Sequence, residues 1–333
     1  MISVVVPVYN EAESLRQLSA ELSSVAAEQG WEYELLFVDD GSTDESWRVI
    51  RELAQEQHPV GGLRLRRNCG KATALQAGFG AARGDLVATL DADLQDDPRE
   101  LPRFVAALDD GQDVVSGWKQ VRHDPWDKVW PSRVFNWLVS RLSGVSLHDH
   151  NCGFKMYRRE VVADLRLYGE MHRFVPVLAA ARGWRIGEIV VQHRPRRYGR
   201  SKYGFSRNIK GFLDLATVLF LTRFGERPQH FLGCLGLAAG VLGTGGMLLA
   251  MVAQIGRQLW PYSAVIGNLV PPAIYGALTL AVGVLLLALG LVAELIVSAP
   301  TGPRRSLPVC EQLPVAPPPS SPSPAPTIEG GAG

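Results

Sequence analysis

The sequence predicts an α/β domain with a mostly parallel sheet flanked by helices, followed by an interfacial helix and two transmembrane helices. Three observations carry this. Short β-branched runs alternate with stretches of helical periodicity through the first part of the chain. Acidic residues gather where those runs end, at Asp39-Asp40 and at Asp91-Ala92-Asp93. Two later stretches, 231–253 and 273–293, contain no charged residue. The expected boundaries are an α/β domain at 1–206, a juxtamembrane amphipathic helix at 207–228, a membrane hairpin at 229–299 and a disordered tail at 300–333.

Taken in order, Val4-Val5-Val6-Pro7-Val8 is a β-branched run that stops at Tyr9-Asn10-Glu11, and Leu15, Leu18 and Leu22 then recur at helical spacing. Tyr33 to Val38 repeats the plan into Asp39-Asp40-Gly41-Ser42, and Trp47, Ile50 and Leu53 mark the next helix. Arg64 to Arg67 reads as a short third strand, Asn68-Cys69-Gly70-Lys71 as a turn, and Ala72 to Ala82 as an alanine-rich helix. Gly78-Phe79-Gly80 falls inside that helical pattern instead of after a strand, which points to close packing and not to a dinucleotide loop. Leu86 to Leu90 is a buried strand delivering Asp91 and Asp93. Val114 to Gly117 is another strand, Trp118 to Pro131 reads as irregular, and Val134 to Leu142 as helical. His148 to Tyr157 is a loop entering a strand, Arg159 to Leu165 and 171–183 are helices, and Gly187 to His193 is a last strand before the basic loop Arg194 to Tyr203. Such alternation implies right-handed crossovers and a ligand groove at the carboxyl edge of the sheet.

From Asn208 the apolar stripe Ile209, Phe212, Leu213, Leu215, Ala216, Leu219 and Phe220 suits a helix lying in a membrane interface, or equally one packed on the domain. The two uncharged stretches are long enough to cross a layer of about 30 Å at about 1.5 Å per residue. Trp260 and Tyr262 fall between them where an aromatic belt would lie, and Arg and Lys flank the pair on the same side, so both ends of the hairpin are expected in the cytosol. No signal peptide is expected at the N-terminus. Hydrophobic residues make up 47% and charged residues 20%, which fits a chain partly outside water. A formal charge of +1 gives no global field for nucleic acid, so no nucleic-acid partner is expected. The four cysteines show no Cys-x-x-Cys pair and no disulfide framework. Homo-oligomer formation stays open.

Asp91 and Asp93, at the mouth of the sheet, suit a hard divalent cation that leaves coordination sites for phosphate oxygens. The competing reading makes them the opening of a turn and the cap of the helix that Pro98 starts. Glu11 could likewise be only a first-turn acid, and Asp39-Asp40 a solvated turn. His148 and His150 are more readily structural than metal ligands, and Asp149 could orient a donor or acceptor group. The Arg194 to Lys202 run could bind lipid headgroups.

Pro7-Val8-Tyr9-Asn10-Glu11, Val38-Asp39-Asp40-Gly41-Ser42, Asp91-Ala92-Asp93-Leu94-Gln95, Cys152-Gly153-Phe154-Lys155 and Arg196-x-x-Gly199-x-Ser201-Lys202 together resemble the inverting polyprenyl-phosphate glycosyltransferases of family 2, across about residues 1–300. The resemblance implies a GT-A-type, Rossmann-like domain on the cytosolic side of the cell membrane, with a membrane lipid environment. It implies a UDP- or GDP-linked nucleotide-sugar donor, a polyprenyl phosphate acceptor, inversion, and Mg²⁺ or Mn²⁺ held by Asp91 and Asp93. Pro7, Tyr9, Glu11, Val38 and Asp40 would hold base and ribose. Asp91, Ala92, Asp93 and Gln95 would hold the metal-bound diphosphate and the sugar, with Arg196 and Lys202 in a basic loop over the diphosphate. Lys119 stands where the family commonly has Arg, and Cys152-Gly153-Phe154-Lys155 where it usually has Ser-Gly-Phe-Arg or Gly-Asp-Phe-Arg.

A lipid monophosphate has its second pKa at about 6, so at neutral pH it needs no strong general base. What it needs is cations to bring it up to a diphosphate, and Lys119, Arg133, Arg196 and Lys202 are the candidates. Two other functions share the pattern: a membrane synthase extending a polysaccharide, which would want a pore and usually a Gln-x-x-Arg-Trp segment absent here, and a non-catalytic nucleotide-binding membrane protein.

Overall fold

The structure is a computed structural model that describes residues 1–56, 59–120, 126–195, 206–225, 227–259, 270–298 and 308–315; at 126–133, 206–212, 257, 270–271 and 298 only the backbone is described. The strands are Ile2–Val8 (β1), Tyr33–Asp39 (β2), Val60–Leu65 (β3), Leu86–Thr89 (β4), Val114–Trp118 (β5), Lys155–Arg158 (β6), Ile186–Val190 (β7) and Val309–Leu313 (β8). They form one sheet in the order β7-β5-β6-β4-β1-β2-β3-β8. β7–β5, β4–β1, β1–β2 and β2–β3 pair in parallel, whereas β5–β6, β6–β4 and β3–β8 are antiparallel. The central strands are apolar on both faces, as a sheet covered on both sides requires: Val4, Val5, Val6, Leu35, Phe37, Val87 and Ala88 are all buried.

The helices are Ala12–Gln29 (α1), Ser46–Glu56 (α2), Lys71–Ala81 (α3), Leu101–Asp109 (α4), Trp126–Ser143 (α5), Arg159–Asp164 (α6), Val175–Ala180 (α7), Ser206–Phe224 (α8), Pro228–Leu259 (α9) and Val270–Ser298 (α10). Leu15, Leu18 and Leu22 of α1 and Trp47, Ile50 and Leu53 of α2 join the core as their spacing predicted. The helical reading of Gly78 also holds. It lies in α3 against β1, where a Cβ would come within 2.3 Å of Val5 Cγ1.

Three expectations are corrected. β3 covers 60–65 instead of 64–67, because Gly61 and Gly62 belong to the strand. A Cβ on Gly62 would sit 2.7 Å from Ile50 Cγ2, so the glycine there serves close packing instead of a turn. α5 begins at Trp126, with Pro131 inside it; a proline removes one helical hydrogen bond without compelling a break. The stretch 300–333 is not disordered throughout, since Val309–Leu313 adds an antiparallel strand to β3. Its main-chain groups find partners on an otherwise open sheet edge, which a composition argument cannot see.

Contacts divide the chain into one unit of residues 1–215 with 306–333 and a second of residues 216–305. In the second unit, Pro228–Gly256 and Pro272–Val297 are long and apolar enough to cross a membrane, and only 17% and 11% of their most apolar windows are buried. A soluble core helix would bury most of such a surface. The pair packs through glycines: a Cβ on Gly236 would lie 2.8 Å from Gly283 O, and one on Gly243 would lie 2.5 Å from Leu280 N.

Candidate active site

Parallel pairing sets the ends of β1, β2 and β4 side by side. Val8 is in register with Asp39, Asp40 N–H donates to Val8 O at 2.8 Å, and Leu90 N–H donates to Val5 O at 3.4 Å. The loops after these strands therefore open at one sheet edge, the place where α/β sheets collect ligands.

Asp91 leaves β4 into this edge, and its carboxylate pairs with Lys71 Nζ at the start of α3. Burial acts to raise the Asp91 carboxyl, but Lys71 and Lys119, followed by His172, outweigh it and hold it down at about 2. It is thus a carboxylate at any physiological pH. The cap at Pro98 is supplied by Asp97, whose Oδ1 accepts Arg99 N–H at 3.0 Å, so Asp91 is not tied up as a helix cap. Asp93 is buried and accepts Gln95 N–H at 3.2 Å; Leu94 between them has φ 61°, a left-handed conformation costly for a leucine. Strain of this kind persists where surrounding structure imposes it, often at ligand sites.

Behind this loop Lys119 Nζ lies 2.7 Å from Asp96 Oδ1, with Asp96 fully buried. Burial disfavours the ammonium, yet Asp96 and Asp91 keep it charged. Asp96 Oδ2 also accepts Asp91 N–H at 3.4 Å, so one buried carboxylate anchors both the cation and the acidic loop. The 193–194 segment closes on the same loop. Asp96 bridges His193, Arg194 N–H donates to Gln95 O at 2.9 Å, and Gln95 Nε2 lies 3.4 Å from His193 Nε2. Arg194 is committed to Asp97 at 2.6 Å and Glu21 at 2.7 Å.

Gly153 explains part of the Cys152-Gly153-Phe154-Lys155 segment. A Cβ there would lie 2.6 Å from Asp91 Oδ2, so only glycine lets this backbone pass the carboxylate. Thr89 Oγ1 donates to Gly153 O at 2.9 Å and fixes the approach. Lys155 is buried and turns inward to the carbonyls of His150 and Cys152, and burial lowers its pKa. Cys152 is buried too, and burial pushes its thiol up to about 12, which leaves it inert.

The second group lies on β1 and β2. Pro7 pairs with Val38 across the two strands, and Tyr9 and Glu11 follow on the β1–α1 loop. Asp40 accepts Cys69 N–H at 2.7 Å and Gly70 N–H at 2.9 Å, one on each oxygen. Each oxygen keeps a further lone pair for a ligand. Burial raises this carboxyl despite the two amides.

The structure therefore brings Asp91, Ala92, Asp93, Gln95 and Lys119 into one cluster and Pro7, Tyr9, Glu11, Val38 and Asp40 onto one strand edge. Arg133 lies on α5, its side chain outside the described residues, as are Arg196 and Lys202 altogether. His148 and His150 both find partners within the protein. His148 stacks on Trp118 at 3.9 Å and pairs with Glu188 at 2.8 Å, while His150 Nε2 meets Ser140 Oγ at 2.9 Å. Asp149 accepts Asn151 N–H at 3.0 Å. Sequence reasoning missed Lys71, Asp96 and His172. A Gly-Lys pair entering a helix from the carboxyl edge of a sheet was a usable signal for Lys71; Asp96 and His172 had none.

No group of three or more His, Cys, Asp or Glu gathers as a metal cage among the described residues. Asp91 and Asp93 fit a different donor set: two hard oxygen ligands at an open edge, the arrangement that Mg²⁺ or Mn²⁺ uses when substrate phosphates and water complete its shell.

An acidic loop backed by the partly buried Lys71 and Lys119 at the carboxyl edge of a mixed sheet suits an anionic ligand such as a nucleoside diphosphate. Residues 3–166 match glycosyl transferase family 2, and the chain belongs to that family. It is 37% identical over 300 residues to dodecaprenyl-phosphate galacturonate synthase from Rhizobium johnstonii, covering 89% of this chain and 87% of that protein. The resemblance to polyprenyl-phosphate glycosyltransferases thus holds along most of the chain. Glucosyl-3-phosphoglycerate synthase from Mycobacterium tuberculosis, solved with phosphoglyceric acid, shares the fold at TM-score 0.50 and 21% identity, over 67% of this chain and 79% of that one. The same enzyme solved with Mn²⁺, UDP and glucosyl-3-phosphoglycerate superposes at TM-score 0.50 and 20% identity, with the same coverage.

Proposed function

We propose that the protein transfers a sugar from a nucleoside diphosphate to a polyprenyl phosphate, with inversion, at the cytosolic face of a membrane. The observation that carries this is Asp91, a permanent carboxylate flanked by Lys71 and Lys119 at the carboxyl edge of β4. Such a group is suited to holding a divalent ion against a diphosphate. The 37% identical relative is named for making a polyprenyl-phosphate sugar, and its galacturonate is the first sugar to test.

Asp91 and Asp93 would hold Mg²⁺ or Mn²⁺, which when bound supplies positive charge to the departing nucleoside diphosphate. Lys71 sits against Asp91 and is placed to turn from that carboxylate to a phosphate oxygen. Lys119, anchored by Asp96, keeps its charge in a partly buried setting where water screens it less. The lipid phosphate attacks as an anion, so no residue is required to remove a proton from it. One displacement on the face opposite the leaving diphosphate inverts the anomeric carbon. Both ends of the α9–α10 hairpin connect to the α/β unit, which supports an even number of crossings, and the Arg and Lys flanking the pair favour the cytosol for that unit.

The test is to incubate membranes containing the protein with radiolabelled UDP- and GDP-sugars, galacturonate among them, and undecaprenyl or dolichyl phosphate. Label is expected in an organic-extractable, acid-labile lipid. Label found in polymer and never in lipid would favour a polysaccharide synthase and end this proposal.

A further inference from the structure

β8 follows the membrane hairpin, yet it is wired to the first loop of the α/β domain. Its Glu311 stands directly opposite Arg64 of β3. Glu311 Oε2 accepts Trp47 Nε1–H at 3.0 Å, and its Oε1 pairs with Arg51 at 3.1 Å. The Trp47 ring so fixed presents its face to the Arg64 guanidinium, 5.7 Å from the ring centroid. Arg64 Nε in turn lies 3.3 Å from Asp39 Oδ2, a carboxylate with no exposure. Asp39 Oδ1 accepts Ser42 N–H at 3.0 Å, and Ser42 Oγ accepts Asn10 N–H at 3.0 Å. Asn10 has φ 54°, a left-handed conformation held also by Thr43 N–H donating to its side-chain oxygen at 2.8 Å. That strained residue sits between Tyr9 and Glu11.

A second path runs along the main chain. Arg66 N–H donates to Pro308 O at 2.9 Å, so the tail pairs with β3 past its end. The next residue, Arg67, packs on Gly41, where a Cβ would lie 2.5 Å from Arg67 C and φ is 68°. β3 is also shaped for the tail: a Cβ on Gly61 would lie 2.6 Å from Val315 Cγ2, and Val315 is buried.

We propose that the carboxyl-terminal strand is a positioning element for the nucleotide pocket, acting through Glu311, Trp47, Arg64 and Asp39 on the Asn10 turn that sets Tyr9 and Glu11. This rests on the reading of Pro7, Tyr9, Glu11, Val38 and Asp40 as the base and ribose site. Glu311, Trp47, Arg64 and Asp39 all lie outside the set Pro7, Tyr9, Glu11, Val38 and Asp40, so the relay acts through those residues. The tail ties the turn to its binding conformation, so losing the tail adds an ordering cost to nucleotide binding and leaves the acidic loop as it was.

The experiment is calorimetric titration of UDP, and separately of GDP, with Mn²⁺ into the full chain in detergent, alongside steady-state transfer. Proteins compared are wild type, Glu311→Ala, Glu311→Gln and a truncation removing 306–333. Glu311→Ala and the truncation are expected to weaken binding of the preferred nucleotide about 5- to 30-fold, raising donor KM by a similar factor while kcat and lipid-acceptor KM stay within about twofold. Glu311→Gln keeps an acceptor for the Trp47 indole and is expected to bind within about threefold of wild type. If the truncation does not fold, the two point variants carry the comparison. Equal affinity in wild type and Glu311→Ala, or a fall in kcat with donor KM unchanged, overturns the positioning role. Failure of wild type to bind either nucleotide overturns the underlying assignment instead.

Discussion

At the residue scale the chemistry depends on charges set against one another at a partly buried sheet edge. Lys71 is the cation in direct contact with Asp91, and its loss leaves that carboxylate, and the diphosphate proposed to bind beside it, short of compensation. Lys71→Ala should lower kcat/KM for sugar transfer about 10²- to 10³-fold, the scale seen when one preorganised donor is removed, and leave the thermal midpoint little changed. Steady-state kinetics of the variant check this; activity within twofold of wild type would remove Lys71 from the site. His150 makes the opposite kind of prediction. Burial, then Lys155, push its imidazole down to about 4 from 6.5, so between those values the unfolded chain holds a proton that the native state refuses. The sign is therefore a stability complete above pH 6.5 and lost as pH falls toward about 4, worth about 3 kcal/mol over the whole range. Thermal midpoints at about pH 7.5 and 5 should fall for wild type and fall less for His150→Gln; parallel falls would exclude His150 as the source. Asp91 and Asp93 were legible because they follow an apolar strand. Asp96 was not, since an Asp within an acidic run carries no sign that its partner is a lysine beyond the next helix and strand.

At the level of elements, β1, β2 and β4 declared themselves through unbroken β-branched and apolar runs, as strands buried on both faces must. β3 was misplaced because its glycines, which in isolation signal a turn, are there to admit Ile50, Trp47 and Val315. β8 escaped notice because its pairing partner lies far back in sequence; Trp47 and Glu311 are 264 residues apart. Local composition holds no information about such a contact. The α9–α10 hairpin was legible from hydropathy, though its glycine seam was not. Gly243→Leu places a side chain where a Cβ already meets Leu280 N at 2.5 Å, whereas Gly245 has nothing within 4 Å. Gly243→Leu should lower the thermal midpoint of the detergent-solubilised protein, by about 1–3 kcal/mol equivalent, and Gly245→Leu should not. Equal midpoints for the two variants would contradict packing through this seam.

For the whole molecule, the chain leaves the α/β unit, makes a two-helix excursion and returns to contribute a strand to the same sheet. That connectivity makes a topological prediction. Cys310 on β8 is exposed, so in a Cys69→Ser, Cys234→Ser background a membrane-impermeant maleimide should label it in inverted membrane vesicles and not in intact cells. Labelling from outside the cell would place the sheet on the wrong face for a cytosolic donor. The central claim is that a metal-gripping acidic pair moves a sugar from a nucleotide to a charged lipid. Its most direct test is to reconstitute purified wild type and Asp91→Asn with Mn²⁺, a nucleotide-sugar and undecaprenyl phosphate, and to measure nucleoside diphosphate released per lipid-linked sugar formed. The account predicts one-to-one stoichiometry for wild type, abolished by chelation, and a loss of at least about 10²-fold for Asp91→Asn. Undiminished transfer by Asp91→Asn would contradict it.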